Sequence, residues 1–223
     1  MLKRLAILFS FLLASFSAQS QTTNWVAGQH YFLIQPIQPT WTATNKVEVL
    51  EVFSYGCPAC NSFYSTAERL KNSLPANAQM AFLPASFNPA ENWPTFQRAY
   101  LAAQTLGVAD KAHKAMFDAI WNTGELGIVD QRTQRLKRTM PTIEDIAKLY
   151  NRVAGVPQDK FVAAANSVAF SMDTADRRIK AYRVDSTPTI VINGKYRLTA
   201  QSAGGVDQLI ELVKFLVAKE TKK

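Results

Sequence analysis

From Val47 to Phe53 the chain reads Val-Glu-Val-Leu-Glu-Val-Phe, and four residues later come its only two cysteines, Cys57 and Cys60. A β-branched, apolar run of that length, interrupted only by Glu48 and Glu51, suits a strand in a buried sheet. Pro58 follows Cys57 directly and fits the first position of a helix, where its missing N–H has no partner to lose. From Cys60 onward Phe63, Ala67, Leu70 and Leu74 fall at helical spacing until Pro75 stops the pattern. Met80 to Pro84 then reads as a second strand. The cysteines therefore sit at the first junction of a strand–helix–strand unit.

The pattern changes between about Ala90 and Tyr182. Helices with local stops and caps fill this block: Leu106 before Gly107, a stretch opened by Asp110 and running through Trp121, and Thr142 three residues before Asp145. Thr189–Ile192 and Tyr196–Leu198 then flank Asn193-Gly194-Lys195, and Asn-Gly between β-prone runs signals a hairpin. A last helix over Val206–Ala218 presents Leu209, Val213 and Leu216 on one face. Without the helical block the order is strand–helix–strand followed by strand–strand–helix, which is that of the thioredoxin fold. We therefore expect an α/β chain, a thioredoxin fold with an inserted all-helical domain. The expected boundaries are 21-89 and 183-223 for the discontinuous thioredoxin-like domain and 90-182 for the insertion. His30 to Ile34, before Pro36 and Pro39, is expected as an extra edge strand, where flanking prolines are tolerated.

The chain opens Met1-Leu2-Lys3-Arg4 and is then apolar from Leu5 to about Ala18, the layout of a secretory signal. It is shorter than the roughly 20 apolar residues of a spanning helix. Residues 1-20 are expected to be removed, with the cut before Gln21. About 200 of the 223 residues remain, enough for a core that needs no covalent staple. A disulfide across a loop as short as Cys57–Cys60 would constrain the unfolded chain very little, so stabilisation is not its expected job. The formal charge of +8 raises the question of nucleic acid. The densest basic run, Arg132, Arg135, Lys137 and Arg138, has no interleaved aromatic residues to stack on bases. It reads as a solvated surface, and no nucleic-acid partner is expected.

Chemistry follows from the cysteine spacing. With Pro58 at the first helical position, Cys57 becomes the N-cap, its sulfur facing unpaired N–H groups and the positive end of the helix dipole. Both favour thiolate over thiol. Cys60 lies one turn deeper on the same face, placed to attack a mixed disulfide formed at Cys57 and release the partner. Three other readings compete. Structural zinc wants four ligands, and the only histidines, His30 and His113, are not paired, so no metal is expected. A hydrolase built on Cys57 and His113 leaves Cys60 unexplained. An inert buried pair at a strand–helix junction stays open.

The segment Val49-Leu50-Glu51-Val52-Phe53-Ser54-Tyr55-Gly56-Cys57-Pro58-Ala59-Cys60 resembles the active site of DsbA-type thiol:disulfide oxidoreductases. The hairpin after Thr187-Pro188-Thr189 and the helices around Leu106-Gly107-Val108 extend the resemblance over essentially the whole expected mature chain. It implies that Cys57 is the exposed nucleophile and Cys60 its buried partner, forming a redox disulfide. It further implies that Pro188 is a cis-proline facing that disulfide, and that the Thr187 backbone, with Pro58 and Ala59, meets a bound peptide. Glu51 matches the family's buried acid, placed to exchange a proton with Cys60. Two departures stand out. Ala59 replaces the family's common histidine, which implies a weaker oxidant, and Met80 to Pro84 lacks the lysine that some relatives place near the acid.

An enzyme of this kind would donate its disulfide to folding secreted polypeptides in the periplasm and be reoxidised by a DsbB-like membrane quinone oxidoreductase. The resemblance implies no cofactor and a monomer. A disulfide isomerase or reductase, or a periplasmic peptide-binding protein without turnover, are the alternatives at this point.

Overall fold

The computed structural model describes residues 24–42 and 45–221. The expected signal segment and its cut lie outside them. The first strand, β1 (Phe32–Leu33), leads to β2 (Val47–Phe53), which is buried at all seven positions. Helix α1 (Pro58–Ser73) carries the chain to β3 (Ala78–Pro84), two of whose residues precede the expected start at Met80. β3 runs parallel to β2, from Val47 opposite Ala78 to Phe53 opposite Pro84. On its other edge β2 pairs antiparallel with β6 (Thr189–Ile192), and β6 with β7 (Tyr196–Leu198). β1 closes the edge, giving the order β1-β7-β6-β2-β3. The expected edge strand thus exists, shortened to two residues. Gln35–Pro36, just beyond it, is a cis peptide.

A strand buried on both faces needs partners on both, and side chains alternate along it. Val47 and Val49 pack with Phe63, Ala67 and Leu70 of α1 and with Leu209, Val213 and Leu216 of the last helix, α8 (Val206–Thr221). Leu50 and Val52 join a second core made largely by the insertion, including Phe96, Tyr100, Met116, Ile146 and Tyr150. Glu48, also on this side, is fully buried. It accepts the N–H groups of Trp41 (2.7 Å) and Thr42 (3.1 Å) and lies 3.6 Å from the Arg178 guanidinium, which stacks on Trp41. That ion pair ties the insertion to the central strand.

The insertion comprises α2 (Trp93–Thr105), α3 (Ala109–Phe117), α4 (Ile143–Ala154), α5 (Gln158–Ser167) and α6 (Ala169–Ala181). Thr142 and Asp145 form the expected capping box of α4. The stretch expected as one helix through Trp121 instead leaves α-geometry at Phe117 and continues as a π-helical turn, Asp118–Asn122. The block also contains a hairpin of two short strands, β4 (Val129–Asp130) and β5 (Arg135–Leu136), which carries Arg132 and Arg135 of the basic run, with Lys137 and Arg138 directly after it. Finally α7 (Ala200–Ala203), capped by Thr199, precedes α8. At the β6–β7 turn Asn193 and Gly194 both adopt positive φ (51° and 64°), and a Cβ on Gly194 would come within 2.1 Å of the Gln38 carbonyl oxygen. Only glycine fits there.

Candidate active site at the β2–α1 junction

Cys57 caps α1 in an extended conformation (φ −92°, ψ 116°), and its Sγ accepts the Cys60 N–H at 3.3 Å. Pro58 occupies the first turn, and no acid there opposes the helix dipole. Both cysteines are free thiols among buried residues, whereas Pro58 and Ala59 between them are exposed. The Cys57 thiol is lowered to about 6. A hydrogen bond from the Cys60 thiol is the largest cause; burial opposes it, and bonds from Thr187 and from the Cys60 and Ala59 N–H groups add to it. Cys60 is pushed strongly upward, first by burial and then by its bond to Cys57. Two thiols three residues apart thus differ sharply in acidity, one ionised at neutral pH and the other protonated.

The β6 side supplies the opposing wall. Thr187–Pro188 is a cis peptide immediately before β6, and the Cys57 Sγ–H reaches the Thr187 carbonyl at 3.5 Å. The Thr187 hydroxyl is buried, with the Cys57 sulfur as the partner that its side chain favours in the ionised form.

Beneath the cysteines lies Glu51, on the α1 face of β2 and paired with Ile190 and Phe82 across the sheet. It is 3% exposed and makes no ion pair among the described residues. Burial raises its carboxyl to about 8, with the Cys57 charge adding to the shift. The carboxyl is thus mostly protonated at neutral pH and available as a proton donor.

His113 is not part of a cysteine–histidine pair. Its Nδ1 meets the Tyr55 hydroxyl at 2.9 Å among the rings of Phe53, Phe82, Tyr100 and Phe117. Burial lowers it to about 3, so it stays neutral. His30 Nδ1 accepts the Val26 N–H. No cluster of three or more metal-ligating side chains occurs among the described residues.

Two supports of the site had no signal in the sequence. The Trp121 indole N–H donates to the Tyr55 carbonyl at 2.8 Å, fixing the segment just before Cys57. Trp93 packs so closely on Gly56 that a Cβ there would lie 2.6 Å from its ring, with the Glu91 carbonyl oxygen 3.2 Å away. Gly56→Ala is expected to force the indole or the cysteine loop outward. The expected loss is about 1–3 kcal/mol of stability, read as a lowered thermal midpoint, with a measurable shift in Cys57 alkylation rate.

The family model described as Thioredoxin matches residues 42–212. The thiol:disulfide interchange protein DsbA of Pseudomonas aeruginosa is 31% identical over 207 residues, covering 92% of this chain and 90% of its own. The protein of that name from Azotobacter vinelandii is 30% identical over 177 residues, covering 78% of this chain and 75% of its own. Among solved structures, the oxidoreductase DsbA from Xylella fastidiosa superposes with a TM-score of 0.76 at 31% identity, covering 89% of this chain and 98% of its own. Pseudomonas aeruginosa DsbA superposes at 0.72 and 32% identity, covering 88% and 94%. The helical insertion in a thioredoxin-type sheet, the capped cysteine pair and these matches agree, and the chain belongs to the thioredoxin family and, within it, to the DsbA-type thiol:disulfide interchange proteins.

Proposed function

We propose that the protein is a dithiol oxidase that transfers its Cys57–Cys60 disulfide to folding secreted polypeptides. The observation that carries this is Cys57 at the α1 N-cap, its Sγ accepting the Cys60 N–H at 3.3 Å and facing the cis Thr187–Pro188 peptide, an arrangement that draws Cys57 down to about 6 and pushes Cys60 up. A client thiolate attacks the Cys57 sulfur of the oxidised pair, the Cys57–Cys60 bond breaks, and Cys60 leaves and takes up a proton. A second client thiolate then attacks the client sulfur of the mixed disulfide. The client disulfide forms, Cys57 departs as thiolate, and two electrons have passed to the protein. Because Cys57 is a stable leaving group, the reduced form is favoured and the disulfide is oxidising.

Glu51 is the proton donor to Cys60 in this reading. Pro188 and Thr187 form the wall against which a client lies, with Pro58 and Ala59 on the exposed side. Segments 21-89 and 183-223 make up the redox domain and 90-182 the inserted domain. Reoxidation falls to a DsbB-like quinone-linked membrane protein, and the compartment is the periplasm, reached through cleavage of residues 1-20. Among the described residues no helix is long and apolar enough to cross a membrane.

Two readouts test the proposal. Cys57 alkylation should rise with pH around a midpoint near 6, against about 8.5 for a free cysteine. Equilibration with glutathione should leave the pair reduced in buffers that still oxidise ordinary dithiols. A midpoint above 8, or a disulfide that survives strongly reducing buffer, would replace the oxidase with a reductase-like or structural pair.

A further inference from the structure

The β4–β5 hairpin lays the half-buried Val129 against the insertion's core, and its turn is well specified. The Asp130 carboxylate accepts the N–H groups of Arg132 (3.0 Å) and Thr133 (2.8 Å) and the Thr133 hydroxyl, and the Gln134 N–H returns to the Asp130 carbonyl. Asp130 is thereby spent on the turn. Arg132, Arg135 and Arg138 project into solvent and make no ion pair among the described residues, with the half-exposed Leu136 between them. The nearby acids are already engaged: Glu125 with Arg152, Asp145 with Lys148 and the α4 cap.

The hairpin is linked to the cysteine loop through Trp121. The π-helical turn Asp118–Asn122 presents Ile120 and Trp121 to one side of a cleft of about 180 Å³, and Val129, Gln131 and Gln134 of the hairpin form part of the other. The same Trp121 is hydrogen-bonded to Tyr55, two residues before Cys57. One aromatic side chain therefore bridges the cysteine loop and the base of the cationic turn.

We propose that this hairpin is a client-docking surface that favours acidic segments of the polypeptide whose cysteine is engaged at Cys57. The proposal rests on the oxidase reading above and adds a substrate class to it. Three exposed guanidiniums without an ion pair among the described residues, on and just after the turn, attract carboxylates before the thiols meet, so the effect falls mainly on the association rate and weakens with salt. An extended client advances about 3.3 Å per residue, so acids a short distance along the chain from its cysteine can reach the turn.

The experiment is stopped-flow oxidation of three reduced dithiol peptides by the oxidised protein. The peptides differ only in a flanking block of four glutamates, four glutamines or four lysines. At low salt the glutamate peptide should react about tenfold faster than the glutamine peptide, and the ratio should collapse at about 0.2 M salt. The triple substitution Arg132→Gln, Arg135→Gln, Arg138→Gln should bring the ratio to about one or two, whereas the triple lysine substitution should keep most of it. Removing three exposed cations elsewhere, Lys111, Lys160 and Lys180, should leave the ratio in place. A ratio unchanged in the triple glutamine variant, or absent in the native protein, would overturn the proposal. So would binding to phosphatidylglycerol vesicles that vanishes in the triple glutamine variant while the peptide ratio does not move, because the hairpin would then serve a membrane surface. If no peptide is oxidised at all, the oxidase reading itself fails and the proposal with it.

Discussion

Cys57→Ser is expected to abolish dithiol oxidation, and Cys60→Ser to trap partners that the native protein releases. The two outcomes differ because the sulfurs do different work. Cys57 caps α1 and is the ionised member of the pair, so without it no mixed disulfide forms and turnover should fall to the uncatalysed level, a loss of at least about a thousandfold. In Cys60→Ser the Cys57 thiolate still attacks a disulfide-bearing peptide. One peptide sulfur leaves as thiolate, the other stays bonded to Cys57, and the resolving sulfur is absent. The adduct should survive non-reducing electrophoresis and disappear with dithiothreitol. Cys60→Ala adds a finer check. The largest influence lowering Cys57 is the hydrogen bond from the Cys60 thiol, so alanine should move the alkylation midpoint upward, and serine, which keeps a donor, should move it less. Full activity of Cys57→Ser would leave a peptide-binding protein as the better reading.

Most of the site's framework is legible in the sequence, because its signals are local. Pro58 after Cys57 indicates the first turn of α1, and the β2 sequence is apolar enough to announce a strand buried on both sides. Asn193-Gly194 marks a hairpin whose positive φ values the structure then shows. The features that escaped depend on contacts between distant residues or on weak local signals. Glu48 and Glu51 look alike in sequence, three residues apart on one strand, yet alternation sends them to opposite faces. One is bound by backbone N–H groups and Arg178, 130 residues away, and the other sits near the cysteines without an ion pair among the described residues. The packing of Trp93 on Gly56 and the bond from Trp121 to Tyr55 likewise become visible only once the insertion is folded against the sheet. The β4–β5 hairpin is silent in the sequence for another reason. Its strands are two residues long and its turn lacks Asn-Gly, being held by Asp130 and by Gln134 at positive φ. Within a block otherwise patterned as helix, nothing local distinguished it.

Glu51→Gln should separate stability from turnover more widely than any other single change outside the cysteines. The folded carboxyl titrates near 8, against an ordinary value of 4.5. Between those values the folded protein holds a proton that the unfolded chain has lost, so stability falls as pH rises across that window. The cost amounts to about 3 kcal/mol at pH 7 and approaches about 5 kcal/mol above pH 8. Glutamine removes the titration. The variant's thermal midpoint should therefore rise relative to the native protein, with a gap that is small near pH 4 and widens up to pH 8. Part of the shift comes from the Cys57 charge, which disappears when the disulfide forms, so the gap should be smaller in the oxidised protein than in the reduced one. Turnover should move the other way. Without an acid beneath Cys60 the leaving sulfur has no proton donor, and the step that breaks Cys57–Cys60 should slow by about a hundredfold, within the range of general acid catalysis. The alkylation midpoint of Cys57 should shift little or fall. A variant that is stabilised in this pH-dependent way but turns over at the native rate would confine Glu51 to a buried charge with no part in proton transfer. One that gains no stability at any pH would show that the carboxyl is ionised and compensated in the native fold.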